Sequence, residues 1–383
     1  MLQYIPDVKT LIRQLITIPS VSCTNTDIDQ SNIGVIHHLA ELFEPLGFTI
    51  EIQPVDSDCK KANLIATIGT GNNGLVLAGH TDTVPFDESQ WDSNPFSLTE
   101  KNDKLFGLGT SDMKSFFAFI LEALRDVDLK KIKQPLIILA TADEETSMAG
   151  AKAISKRSVN GARQAVIGEP TNMKPVRMHK GMMMESIQLT GLSGHSSDPA
   201  YGQNALEAMH EVMSNLLLWR SALQSKYRNP LFAVPVPTMN FGHIHGGDNP
   251  NRICGHCELQ IDLRPLPGMS VVDLRYELHR RLSDTLEGHN IQLKTVSLFD
   301  GVDAMETNAD AEIVKIVEKL TDEKSEAVAF GTEAPFYKSM GLDTIILGPG
   351  NIVQAHQPNE YLDIANIAPF TLTLKQLIQH YCL

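Results

Sequence analysis

Five side chains of metal-ligand type stand at the ends of apolar runs or in loops: His80, Asp112, Glu145, Glu169 and His356. Two imidazoles with three carboxylates match a pair of borderline divalent cations bridged by one carboxylate, a combination used in hydrolysis. Asp143 and Glu144 precede Glu145, and three consecutive acids repel one another unless a cation or proton intervenes. One glutamate of that pair can ligate while its neighbour, held close but free, carries a proton. Asp82 follows His80 by two residues, where a turn could bring it behind the ring to accept the imidazole's second N–H. Each position has a plainer reading alone. Asp82 could lie in a solvated turn, Asp112 could be the N-cap of the helix that follows, Glu169 a strand-to-turn acid, and His356 a surface residue on a Gly- and Pro-rich loop. Together they point to one converging site.

The elements that must position them are legible as hydrophobic runs. Residues 75–79, 136–141 and 165–168 lack polar alternation and read as strands covered on both faces, as in a parallel sheet. Open parallel sheets place their sites at the carboxyl ends of the strands, where His80, Glu144, Glu145 and Glu169 stand. Helical spacing predicts helices over 31–46, closed by Gly47, and over 113–127. With strands at 49–54 and 64–68, the first part is α/β. From about Gly181 the order changes to strand 185–192, helix 204–219, strands 238–245 and 252–264, helix 271–286 and strand 291–297. This β-α-β-β-α-β order is that of a ferredoxin-like α+β unit, whose sheet edge could pair with a second chain to form a homodimer. The α/β pattern returns with a helix at 311–320, a strand at 344–348 and a helix at 367–380. The expected organisation is a catalytic domain from 1–180 and 299–383, with 181–298 inserted.

Composition bounds the class. At 383 residues the chain exceeds what one core normally organises. Its hydrophobic fraction of 42%, charged fraction of 20% and mean hydropathy of −0.10 are those of a globular protein. A net charge of −14 disfavours nucleic acid as a partner. No run reaches membrane-spanning length, and Asp7, Lys9 and Arg13 interrupt any signal-peptide core. Five cysteines at irregular spacing fit reduced thiols in a cytoplasm. Cys254 and Cys257 resemble half of a zinc knuckle, but no second pair completes it, and alternation there predicts a strand with its thiols on opposite faces.

These segments, in this order and with a domain inserted between Glu169 and His356, resemble the M20 family of dinuclear zinc amidohydrolases and peptidases over essentially the whole chain. The resemblance implies a metallopeptidase-type domain with a mixed, mostly parallel sheet, and a lid or dimerisation role for the insert. It also implies two zinc ions, with cobalt an acceptable substitute. Asp112 would bridge them, His80 and Glu169 would complete one site, Glu145 and His356 the other, and the Asp112–Met113 peptide would be cis. Glu144 would be the general base for a bridging water and Asp82 would orient His80. His195 would donate to the oxyanion, often across a dimer.

The stretches HTDTVPFD, ATADEETSMAGA, HSSDPA, NRIC, DLRPLPG and FGTEAPF are similar to the branch that acts on N2-acetyl-L-ornithine. They imply release of acetate and ornithine in arginine biosynthesis. Arg264 would grip the α-carboxylate, with Arg252 able to share that role. Asn251, Gly331 and Thr332 would line the pocket; the motifs do not single out the acid that receives the side-chain ammonium, for which Glu333 is one candidate. Removal of succinate from succinyl-diaminopimelate remains an alternative, although FGTEAP departs from the Gly-Gly-Thr-Ser run of that branch. So do deacetylation of acetylcitrulline and a broad aminoacylase. A metal-binding protein without hydrolysis is the reading from another class, and the spare carboxylate Glu144 counts against it.

Overall fold

The three apolar runs that end on ligand-type residues are strands, and they lie side by side. In a computed structural model that describes residues 5–383, the first unit starts with helices α1 (Val8–Thr17) and α2 (Ile33–Phe43). Residues 1–4, at the head of the segment read as catalytic, lie outside the described residues. Strands β1 (Thr49–Pro54), β2 (Ala62–Ile68) and β3 (Gly74–His80) follow, then a hairpin of β4 (Thr99–Lys101) and β5 (Lys104–Phe106). Helix α3 (Ser115–Leu124), β6 (Leu136–Thr141), α4 (Ala149–Ala153), β7 (Ala162–Ile167) and β8 (Val176–His179) complete this stretch.

The second unit holds β9 (Met183–Thr190), α5 (Ala205–Lys226), β10 (Thr238–Gly246), β11 (His256–Arg264), α6 (Val271–Thr285), β12 (Gln292–Ser297) and β13 (Met305–Glu306). The chain then supplies α7 (Glu312–Thr321), β14 (Glu326–Val328), α8 (Ala334–Ser339), β15 (Asp343–Ile346), β16 (Tyr361–Asp363) and α9 (Ile367–Cys382). By compactness, the second unit comprises Met178–Glu306 and Ala327–Gly331, wider than 181–298. Short strands β8, β13 and β14 supply part of the extra residues; they carry too little pattern to be read from sequence.

In the first unit the strand order is β1-β2-β6-β3-β7-β15-β8. The centre is parallel, β3 with β6 and with β7, and β7 with β15, while β1, β2 and β8 join antiparallel. This is the mixed sheet with a parallel centre that the buried runs imply. Every residue of β3 and β6 is buried. Helix α3, apolar on nearly all sides, packs against α1 and α9, while α2 covers β2. It starts two residues later than its hydrophobic pattern, because Met113 and Lys114 belong to the turn that presents Asp112. Asp112 is therefore not an N-cap, and the Asp112–Met113 peptide is cis.

The second unit pairs its strands in the order β10-β11-β9-β12, all antiparallel, with α5 and α6 packed against them. That is the ferredoxin-like arrangement. Strand β11 begins at His256 rather than 252, so Cys254 precedes it; both Cys254 and Cys257 are buried in this unit's core instead of facing opposite ways. Among the described residues no helix is long and apolar enough to cross a membrane.

Two glycines let α3 and the sheet approach each other below the strand ends. A Cβ on Gly79, just before His80, would run into the Met113 thioether methyl, and one on Gly168, just before Glu169, into the Phe116 ring. Gly168→Ala should therefore destabilise the protein by about 1–3 kcal/mol through overpacking, read as a lower denaturant midpoint. The loss should shrink when the same change is made in a Phe116→Leu background, where the ring is gone.

Candidate metal and catalytic site

Because β6, β3 and β7 are adjacent and parallel, their carboxyl ends open on one edge. His80 closes β3, Glu144 and Glu145 follow β6, and Glu169 follows β7. Asp112 arrives on the turn before α3, and His356 on the loop between β15 and β16 in a left-handed conformation, φ 60°. The structure brings all five sequence-derived ligands and Glu144 together within the first unit. Ligand atoms lie within 4.8 Å of one another in each of three groups: His80, Asp112 and Glu169; Asp112, Glu145 and His356; His80, Glu144 and Glu145.

Asp112 is common to two of these groups, and its two oxygens face different imidazoles. Oδ1 lies 3.0 Å from His80 Nε2 and Oδ2 lies 3.7 Å from His356 Nε2. His80 Nε2 is also 4.0 Å from Glu169 Oε2, and His356 Nε2 is 3.0 Å from Glu145 Oε2. Oε1 of Glu169 is buried and accepts no hydrogen bond, which a carboxylate oxygen facing only protein would find costly. Two imidazoles, three ligand-type carboxylates and one unsatisfied buried oxygen fit cations in this space.

The electrostatics agree. Burial, then the Glu169 charge, raises Glu144 well above the ordinary carboxyl range; burial, then Asp112, does the same for Glu169. Burial works to lower His80, but Asp112, Glu169 and Asp82 outweigh it and raise the imidazole well above its usual value. His356 is raised to about 9, chiefly by its hydrogen bond to Glu145.

Asp82 is wholly buried, yet it holds His80 differently from the expected carboxylate–imidazole pair. His80 Nδ1 bonds to the Asp82 main-chain oxygen at 2.9 Å, while the carboxylate stands 3.6 Å away. That carboxylate accepts the N–H groups of Glu144 and Glu145, at 3.2 and 3.1 Å. Asp82 therefore ties the histidine strand to the double-glutamate turn. From the other side Lys61, buried, pairs with Asp29 and Asp143, each at 2.8 Å, and so anchors the residue before Glu144. Sequence reasoning passed over Lys61; its signal was a lysine placed immediately before a buried strand.

The other site residues read from sequence fall elsewhere. His195, Asn251 and Arg252 cluster within the second unit: His195 bridges to Arg252, and Ser196 N–H donates to Asn251 O at 3.1 Å. His195 Nδ1 lies 3.2 Å from the Ser197 N–H and 2.7 Å from the Ser197 hydroxyl. Arg252 Nη1 pairs with Asp248 at 2.6 Å, and Arg264 Nε lies 3.0 Å from both Asp262 oxygens. Gly331 ends the second unit, while Thr332 is buried in the first and accepts the Ala334 N–H that opens α8. Glu333 is wholly buried, accepts a hydrogen bond from Tyr337 and is pushed by burial up to about 7. Its Oε1, like that of Glu169, is buried without a hydrogen-bond partner.

With this geometry in hand, the likenesses to known proteins are informative. The family model of peptidase family M20/M25/M40 matches residues 76–380. The chain is 50% identical to acetylornithine deacetylase of Proteus mirabilis over 379 residues, 99% of this chain and 98% of that one. It is 51% identical to acetylornithine deacetylase of Pectobacterium carotovorum over 378 residues, with the same coverage. In fold it is similar to a metallo-carboxypeptidase of the M20 family from Sulfolobus solfataricus, with a TM-score of 0.75 at 17% identity over 98% of this chain and 99% of that one. A single sheet edge carrying three ligand-bearing strand ends, matched along nearly the full chain, makes the assignment direct: the chain belongs to peptidase family M20/M25/M40.

Proposed function

We propose that the protein hydrolyses N2-acetyl-L-ornithine to ornithine and acetate, the step that supplies ornithine to arginine biosynthesis. The observation that carries the substrate is the half-identity, over 99% of the chain, to acetylornithine deacetylases. The observation that carries the chemistry is Asp112, with one oxygen toward each of two histidines. We assign two zinc ions to the site, with cobalt able to replace them: His80, Asp112 and Glu169 hold one, and Asp112, Glu145 and His356 the other. Bound there, such ions supply Lewis acidity, making water a nucleophile near neutral pH and polarising the acetyl carbonyl.

The chain's own residues do the rest. Glu144, beside a ligand but free of one, takes the proton of the attacking water and returns it to the departing α-amine. Asp82 keeps that base and Glu145 in register through their backbone N–H groups. His195, its Nδ1 held by Ser197, donates to the developing oxyanion. We place this donor across a homodimer formed through the second unit, whose edge strand β10 pairs on one side only. Arg264 and Arg252 are assigned to the α-carboxylate, with Asn251, Gly331 and Thr332 around the substrate. A cytoplasmic enzyme fits a biosynthetic step and five free cysteines.

A turnover panel tests the substrate: acetylornithine should be cleaved far faster than succinyl-diaminopimelate or acetylcitrulline, and a chelator should abolish turnover until zinc is restored. Preference for either competitor would overturn the assignment. Glu144→Ala should cut kcat by about 100-fold or more while metal content, measured by elemental analysis, stays at two ions per chain. For Asp82→Asn we expect one of the two backbone bonds to survive and kcat to fall by about 10–100-fold. Light scattering that returned a monomer with undiminished activity on dilution would dispose of the cross-dimer role of His195.

A further inference from the structure

Glu360 lies four residues beyond His356 and is buried, with 1% exposure. Its carboxylate accepts three backbone N–H bonds from a single turn. Oε2 accepts Gly109 at 2.9 Å; Oε1 accepts Ser111 at 2.6 Å and Asp112 at 3.0 Å. The Glu360 main-chain oxygen takes a fourth, from Gly107 at 3.0 Å. Around this clamp the two segments are stitched again: the Ser111 hydroxyl donates to Tyr361 O at 2.7 Å, Asn351 N–H donates to that hydroxyl at 3.4 Å, and Tyr361 pairs with Phe106 in the β5–β16 ladder. The wholly buried Lys114, one residue past the cis peptide, donates to Ile18 O at 2.6 Å; burial lowers its amine to about 7 against the opposing pull of Glu360 and Asp82.

The consequence falls more heavily on one half of the metal site. His80 closes β3 and Glu169 stands two residues past β7, while Glu145 lies in the turn after β6, held there by the Asp82 carboxylate. Asp112 and His356 come on loops, and the segments that carry them meet at Glu360. We infer that Glu360 is a positioning residue for the ion assigned to Asp112, Glu145 and His356, fixing the Asp112 turn against the segment that follows His356 without touching substrate or ion. The inference rests on the two-ion reading above. Without the clamp that ion has two of its three ligands on loosened segments, whereas the ion at His80, Asp112 and Glu169 keeps two strand-borne ligands.

The test is zinc titration of the metal-stripped, full-length protein by calorimetry, with circular dichroism and thermal melting to establish folding. Wild type should take up two ions. Glu360→Ala should weaken one binding step by about 10–100-fold, the range seen when a group supporting a ligand is removed, and leave the other within about 3-fold. Glu360→Gln can keep its oxygen on Ser111 and Asp112 but sets an NH2 against the Gly109 N–H, so its loss should be smaller, about 10-fold. If the alanine variant does not fold, the glutamine variant carries the same comparison. At limiting zinc both should lose kcat with KM nearly unchanged, and excess zinc should restore kcat. In a His356→Ala background, Glu360→Ala should shift the remaining step by less than about 3-fold. Wild-type affinity at both steps in a folded variant would overturn the inference, as would an equal loss at both steps. A wild-type protein that binds a single zinc would overturn the two-ion reading and this inference with it.

Discussion

Crowding of like charge is the constraint to which the first unit answers. Asp112, Glu144, Glu145 and Glu169 belong to overlapping groups whose ligand atoms lie within 4.8 Å. Two unit charges some 4 Å apart interact by about 4 kcal/mol at an effective dielectric of about 20. A few such repulsions equal the entire stability of a typical domain, about 5–15 kcal/mol. Such a cluster persists only where protons or cations balance it. Proton affinity raised at Glu144 and Glu169, and at His80 and His356, is one answer; divalent cations in the same space are the other, and they invert the proton affinities around them.

Balance of charge alone would not hold the acids in place. The unit separates two kinds of carboxylate. Those that face the cluster have few protein partners, down to an oxygen of Glu169 with none. Those behind it are saturated: Asp82 by two backbone N–H groups, Asp143 by Lys61 and the Ser22 hydroxyl, Glu360 by three N–H groups of the Asp112 turn. Burial pushes Asp82 up to about 6 and Glu360 up to about 8 against the pull of their backbone donors, and a buried hydrogen bond left unmade costs more than a made one contributes. The second set therefore defines the geometry that the first set uses.

What was legible in the sequence follows from this division. Residues 75–79, 136–141 and 165–168 announced themselves because a strand covered on both faces must be continuously apolar. The ligands stood out by standing where those runs stop. The ferredoxin-like unit was legible in element order, yet its edges were not, since β8, β13 and β14 are too short to show a period. Helix α5 was read to residue 219 but continues to Lys226, where Leu223 is still buried and no glycine or proline intervenes. The supporting acids and cations were largely invisible. Glu360, Lys61 and Lys114 are charged residues that pattern reasoning assigns to solvent, and only the fold shows that their partners are backbone groups or opposite charges far away in sequence. Asp82 was found, but its carboxylate serves the Glu144–Glu145 turn more closely than His80.

The same logic bears on how a substrate is selected. The cluster supplies hydrolytic chemistry common to the family, so discrimination among acyl amino acids must come from groups that contact the remainder of the molecule. Arg252 and Arg264 are already engaged with Asp248 and Asp262. Each pair uses a single guanidinium nitrogen, Arg252 Nη1 and Arg264 Nε, so donors remain on both side chains for the α-carboxylate proposed above as their ligand. In that proposed role, the aspartates hold each guanidinium in place before a substrate arrives, so less side-chain freedom is lost on binding. Orientation is what hydrolysis of an amide needs in general, because holding the reacting groups in place removes part of the barrier that free encounter would impose.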